Sequence, residues 1–448
     1  MLVIDNGAYT VKISNGEEIL TIPNCVTRSK DNRRVHIADQ SDDNTIPGTI
    51  QYRRPHEKGF LTNWEAEKSI WDYIFKMKYP QLDCSRECLL LTEPPHNFST
   101  LQANCDEIVF EEYKFDSYIR CTPAALIPWG SLGCLRGPGR PPCQEVILVV
   151  DSGFSFTHIT PVVDGEPVQE NAKRLNVGGK LLTNVLKEMI SFRQYNMMEE
   201  TQLINQIKEE CCYVTDDFDR DMDLARRGEL SKNFILPDFS SNTPGYVADD
   251  RTVIDDEMQI LTLKYELFSV PELLFRPSDI GLNQCGIPEG VMEAIRDLSE
   301  PVRALCLANI VLVGGNTKFP GFRARFEKDL RALAPSDFEL GIYIPDDPIT
   351  YTCQAGLAMA RDTKHMDDAK VTRAEYLESN KKASLKFNAS VGGPSTGRDT
   401  PDLAASKRRE SKYDETSDRA DTPRSFSPDT EPEDAQGGEQ ADEKMTDE

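Results

Sequence analysis

Two short stretches carry residues suited to hold a phosphate chain and its cation. The first is Asp5-Asn6-Gly7, which ends the apolar run Leu2-Val3-Ile4, with Lys12 five residues beyond the glycine. The second is Asp151-Ser152-Gly153, which ends Leu148-Val149-Val150. Glycine lets backbone N–H groups approach phosphate oxygens, and the aspartates can hold a hydrated Mg²⁺. Lys12 would supply a point charge to the phosphates. A third stretch, Ile310-Val311-Leu312-Val313, runs straight into Gly314-Gly315-Asn316-Thr317. A glycine pair after a buried strand admits a purine or ribose close to the backbone. Each motif alone is weak; their order and spacing together point to a nucleotide clamp.

The elements that would position these residues follow from pattern. Residues 2–13 (LVIDNGAYTVKI) and 148–159 (LVVDSGFSFTHI) share Leu, Val, Asp, Gly and the closing Ile at equivalent places. Each reads as strand, Asp-x-Gly turn and returning strand, so the repeat predicts two related lobes facing each other. Between them, Trp64, Ile70, Trp71, Ile74 and Phe75 fall at helical spacing, and Trp64, Trp71 and Tyr73 are expected in a core. Cys88-Leu89-Leu90-Leu91 predicts a strand, and residues 98–110, 181–186, 201–213 and 322–333 predict helices. Residues 128–142 are a Gly/Pro surface loop. Residues 216–256 are polar, acidic and turn-rich, and are expected to form an insertion with little core of its own.

Composition excludes several classes. The formal net charge is −24 over 448 residues, which disfavours direct wrapping of nucleic acid and suits a soluble protein or one with basic partners such as histones. The twelve cysteines include no C-x-x-C, so neither a zinc site nor a disulfide framework is expected, and a reducing compartment is. No apolar run approaches membrane-spanning length. From Tyr413 to Glu448 there is no Leu, Ile, Val or Trp, and 13 acids face three bases. Such a tail, taken as 379–448, is expected to be disordered.

These residues resemble the nucleotide site of the actin and Hsp70-type superfamily, and of actins in particular. Ile207-Lys208-Glu209-Glu210-Cys211-Cys212-Tyr213-Val214 and Leu312-Val313-Gly314-Gly315-Asn316-Thr317-Lys318-Phe319-Pro320-Gly321 are similar to the two adenosine-contacting segments of actin. The resemblance implies an α/β fold of two lobes, each a ribonuclease H-like domain, divided into four subdomains. These would be 1–28, 60–145 and 346–378; 29–59; 146–177 and 265–345; and 178–264. It also implies nucleotide-binding roles for Asp5, Asn6, Gly7, Lys12, Asp151, Ser152, Gly153, Gly179, Lys208, Glu209, Gly314, Gly315, Asn316 and Phe319, with ATP or ADP as the cofactor and no structural metal.

Departures from actin bear on catalysis. By alignment from Phe110-Glu111, the water-orienting glutamine falls on Pro123, which has no side-chain donor or acceptor. The family turn Asp-Asn-Gly-Ser-Gly becomes Asp5-Asn6-Gly7-Ala8-Tyr9, and Asp-Ser-Gly-Asp-Gly becomes Asp151-Ser152-Gly153-Phe154-Ser155. Binding without turnover is the expectation, and His158, which matches a water-positioning histidine, is read as structural. Residues 58–64, 92–98, 110–113 and 371–376 resemble a nuclear actin-related subfamily that serves Swr-type remodelling complexes in histone-variant exchange. That implies a nuclear scaffold subunit, present also in cytoplasm. Its partners would be a large remodelling ATPase and a zinc-HIT-type subunit, with nucleosome contact indirect, no membrane and no filaments. A slow nucleotide-hydrolysing switch is the competing reading. Phe234, Ile235, Leu236 and Phe239, an apolar run in an acidic loop, are expected to be exposed anchors for a partner.

Overall fold

The computed structural model describes residues 1–29, 35–40, 50–131, 145–238, 243–249, 251–252, 255 and 258–378. All of these fall within one compact unit, Met1–Pro394. The expected acidic tail, most of the 128–142 loop and Phe239 lie outside the described residues.

Two mixed sheets share one plan. The first runs, in order, Val371–Thr372, Ser117–Cys121, Cys88–Thr92, Leu2–Asn6, Thr10–Ser14 and Leu20–Pro23. The second runs Glu166–Pro167, Thr157–Val163, Val146–Ser152, Ile310–Val313 and Ile342–Tyr343, with Lys173–Leu175 also pairing Thr157–Val163. In each, the leading strand of an antiparallel hairpin pairs on its other edge with a parallel strand. Leu2 to Ile4 lie beside Leu89 to Leu91, and Leu148 to Asp151 beside Ile310 to Val313. The sequence repeat is therefore a repeat of topology. Strands buried on both faces need unbroken apolar runs, which is why Leu2-Val3-Ile4 and Leu148-Val149-Val150 do not alternate with polar residues.

Helices cover both faces of the first sheet. Ile70, Trp71, Val109 and Phe110 fill one side, and Leu126, Cys353 and Met359 fill the other. Trp64 packs edge-on against Trp71, with ring centroids 5.8 Å apart, so these aromatics are core as expected. The short terminal segment Val371–Thr372 adds an edge strand, and Tyr376 stacks on Phe110 at 4.6 Å. Residues 371–376 thus close the first lobe.

Residues 216–256 depart from expectation. Phe218–Arg227 is a helix: the Asp217 side chain caps its N-terminus, and Gly228 ends it in the left-handed conformation. Acids at 216, 217, 221 and 223 belong to its capping and ion-pair pattern, with partners Arg220 and Arg226. Lys232–Ile235 is the central strand of a three-stranded sheet between Tyr246–Val247 and Ile260–Leu263. Phe234 is fully buried, and Ile235 and Leu236 are buried as well. Three of the four residues expected to be exposed anchors, Phe234, Ile235 and Leu236, are therefore internal packing. They face a core that the acidic flanks conceal in the linear sequence.

Among the described residues, all ten cysteines are free, and no group of three or more His, Cys, Asp and Glu side chains is placed to hold a metal ion. No described helix is long and apolar enough to cross a membrane.

Candidate functional site

The two hairpin turns face each other across a cavity of about 570 Å³. Asp5, Asn6, Gly7 and Lys12 line it from the first lobe, and Asp151 and Gly153 from the second hairpin. Gly179, Lys208 and Glu209 come from helices Gly179–Arg193 and Thr201–Cys211, and Gly314, Gly315, Asn316 and Phe319 from the turn after Ile310–Val313. Thus every residue expected at a nucleotide site meets this one cavity except Ser152. Its hydroxyl is buried behind the turn, where it contacts Thr157 Oγ1 at 2.9 Å and accepts from Asn316 Nδ2 at 3.1 Å.

The first turn is an ionic cluster. Lys12 Nζ lies 3.2 Å from Asp5 Oδ2, and Thr92 Oγ1 donates to Asp5 Oδ1 at 2.8 Å while accepting from Asn6 N at 3.0 Å. Behind it sits Glu67, fully buried, whose carboxyl is pushed up to about 7 by burial. The Asn6, Asn24 and Trp71 side chains beside it partly oppose this rise. In the second turn, Asp151 has no such cation against it. Burial raises its carboxyl to about 6, the Asp5 charge adds to this, and Lys12 partly opposes it.

The adenosine-like side is internally satisfied. Lys208 donates to Asn205 Oδ1 at 2.8 Å, Thr183 Oγ1 at 3.0 Å and the Gly179 carbonyl at 3.2 Å. With only neutral acceptors, burial lowers its ammonium to about 8. Gly314 has φ +91°, and a Cβ there would lie 2.3 Å from the Ser152 carbonyl oxygen, so this turn admits only glycine. No atom lies within 4 Å of where a Cβ of Gly315 would be, which leaves its backbone open to the cavity.

Pro123 lines the cavity from the first position of helix Pro123–Leu126, where a missing N–H costs nothing. His158, opposite Asp151 in the hairpin register, is held neutral: burial lowers it to about 4, and Arg174 adds to this.

Between the turns stand two rings. Tyr9 and Phe154 meet with centroids 4.9 Å apart, and the Arg54 guanidinium lies 4.3 Å from the Tyr9 centroid. The Tyr9 hydroxyl accepts from Asn205 Nδ2 at 2.9 Å and Gln202 Nε2 at 3.1 Å. Sequence reasoning found Tyr9 and Phe154 as losses but missed Arg54 and Asn205. Asn205 was detectable, since it shares a helix face with Lys208 and Glu209 at spacings of three and four. Nothing local marks Arg54, which arrives from 45 residues away to donate to the Tyr9 carbonyl.

A family model described as Actin matches residues 1–386. Actin-like protein ARP6 of Yarrowia lipolytica is 40% identical over 84% of this chain and 94% of its own length. Actin-related protein 6 of Drosophila melanogaster is 37% identical over 84% of this chain and 97% of its own. Actin-like protein ARP6 of Cryptococcus neoformans is 37% identical over 90% of this chain and 88% of its own.

Proposed function

The chain belongs to the actin family, and from that premise we propose that it is a non-catalytic, nuclear actin-related subunit of a Swr-type ATP-dependent remodelling complex. In that role it scaffolds histone-variant exchange into nucleosomes beside a large remodelling ATPase and a zinc-HIT-type subunit. Support for the complex comes from the subfamily stretches at 58–64, 92–98, 110–113 and 371–376, together with the actin-related relatives.

Support for the lack of turnover comes from one observation, the Tyr9–Phe154 ring contact between the two turns. In the family pattern those positions carry a glycine and a carboxylate. Pro123, at the cavity wall, offers no side-chain atom to orient a water or take its proton. An adenine nucleotide still fits the remaining donor set. Gly314 and Gly315 leave the backbone bare for the nucleoside, Lys12 would meet phosphate, and Asp5 and Asp151 would hold a hydrated Mg²⁺. The metal would neutralise phosphate charge. The protein's own residues would bind and orient, and on this reading none activates water.

Purification of the tagged full chain from nuclei, with identification of the retained chains, tests the scaffold reading. Recovery of a large remodelling ATPase and a zinc-HIT protein is expected, and recovery of filament partners alone would overturn it. Phosphate release from Mg·ATP separates this reading from the slow switch, which requires a measurable steady-state rate.

A further inference from the structure

The turn of the second hairpin carries two phenylalanines, and both reach across to the first lobe. Phe154 meets Tyr9, and Arg54, anchored on the Tyr9 and Asn24 carbonyls, covers both rings at 4.3 and 5.2 Å. Phe156 turns the other way, onto Gly59. A Cβ on that glycine would lie 2.5 Å from the Phe156 ring, and its φ of +76° already disfavours any side chain. Arg174 covers this second contact, 4.5 Å from the Phe156 centroid and 5.6 Å from that of Phe60. The two contacts thus have the same composition: an aromatic residue of the second turn, a residue of the first lobe, and an arginine over the rings.

The Tyr9 contact also extends into the second lobe by hydrogen bonds. Asn205 donates to the Tyr9 hydroxyl and to Glu209 Oε1 through the same amide, and its carbonyl accepts from Lys208. A tyrosine from one lobe therefore completes the polar network of a helix in the other. Tyr9, Phe154, His56 and Asn205 line the inner cavity on one side and a second cavity, of about 870 Å³, on the other. They form the wall between the two.

A cleft between two lobes ordinarily closes on what it binds, because facing charges and bare turns gain contacts only from the ligand. Here the facing turns already contact each other. We propose that the two arginine-covered aromatic contacts, Tyr9–Phe154–Arg54 and Gly59–Phe156–Arg174, act as clasps that hold the lobes against each other independently of ligand. A surface spanning both lobes is then presented to partners whatever the cleft contains.

Hydrogen exchange on the full chain, without nucleotide, tests this. Tyr9→Ala removes the ring and the hydroxyl, and Phe156→Ala removes the second clasp. Each is expected to raise exchange about tenfold in 50–61 and 201–211, segments whose residues line the second cavity together, as expected for loss of an aromatic pair with its cation. Exchange in the central strands 88–92 and 310–313 should stay as in the wild type. Tyr9→Phe keeps the ring, loses the amide bonds and should give a smaller rise, which keeps the test informative if the alanine variant folds poorly. Wild-type exchange in folded Tyr9→Ala and Phe156→Ala would overturn the proposal. So would a rise spread evenly over both sheets, which would assign these residues to folding of their own lobes. In the wild type, Mg·ATP should change protection in 50–61 and 201–211 by less than about twofold. A tenfold gain would show that ligand, not the clasps, sets closure. Retention of partners in the purification above does not depend on this outcome, so the two readings fail separately.

Discussion

The two turns that face each other across the cleft hang from matching strands and differ in what they present. In the first, Asp5 is engaged by Lys12 and Thr92, and the apolar element is the Tyr9 ring two residues beyond the glycine. In the second, Asp151 stands without a cation of its own, and Phe154 and Phe156 dominate. One backbone plan thus carries a mainly ionic turn in one lobe and a mainly aromatic turn in the other. A duplicated scaffold constrains the strands far more than the three or four residues at their turns, because only the strands are packed on both faces.

The largest effect that could break this contrast is chemical. If the second turn is aromatic rather than ionic and Pro123 cannot pass on a proton, phosphate release from Mg·ATP should match a blank. Losing a water-orienting group of that kind costs about 10²–10⁴-fold in rate. A steady rate abolished by Asp151→Asn would show both turns to be working clamps.

Next in size is the response to neutralising each turn. Lys12→Met strands the Asp5 carboxylate, whose side chain is only 11% exposed, and should cost about 3–5 kcal/mol in denaturant unfolding at neutral pH. Asp151→Asn removes a carboxylate that has no cation against it and should be neutral, or stabilising by up to about 1 kcal/mol. Equal losses in the two variants would erase the distinction.

Glu67, buried behind the first turn, gives a pH signature. Its folded pKa of about 7 stands above the ordinary 4.5. The protonated native form therefore contributes stability that is fully present below about pH 4.5 and is lost as pH rises through about 7. Glu67→Gln should remove that slope and gain on the wild type by up to about 3 kcal/mol between those limits. Parallel stability curves from pH 4 to pH 8 would count against it.

The smallest contrast lies in the glycines. Gly314→Ala meets the Ser152 carbonyl at 2.3 Å with φ +91° and should cost about 1–3 kcal/mol. At Gly153 an added Cβ would find its nearest neighbour 3.7 Å away, so Gly153→Ala should stay within about 1 kcal/mol. Thermal unfolding of the two variants side by side would resolve this.

Much of this was determined by the sequence alone. Apolar runs broken by Asp-x-Gly specify hairpins through local preference, and their repetition specified the duplicated topology before any contact was known. Strand Ile310–Val313 and helix Phe322–Leu333 lie where periodicity puts them. The cavity residues were also legible, because glycine and aspartate at strand ends serve backbone chemistry that hardly depends on neighbours. What only the tertiary structure decided is where side chains with two possible fates went. Phe234 sits among acids in sequence yet is fully buried, on the central strand of a sheet whose partners, Tyr246–Val247 and Ile260–Leu263, come from later in the chain. Phe156 and Arg54 carried no signal, since their partners Gly59 and Tyr9 lie far along the chain. Periodicity reports which face of an element is apolar. Whether that face meets solvent, a partner or the opposite lobe is settled only when loop closure brings distant segments together.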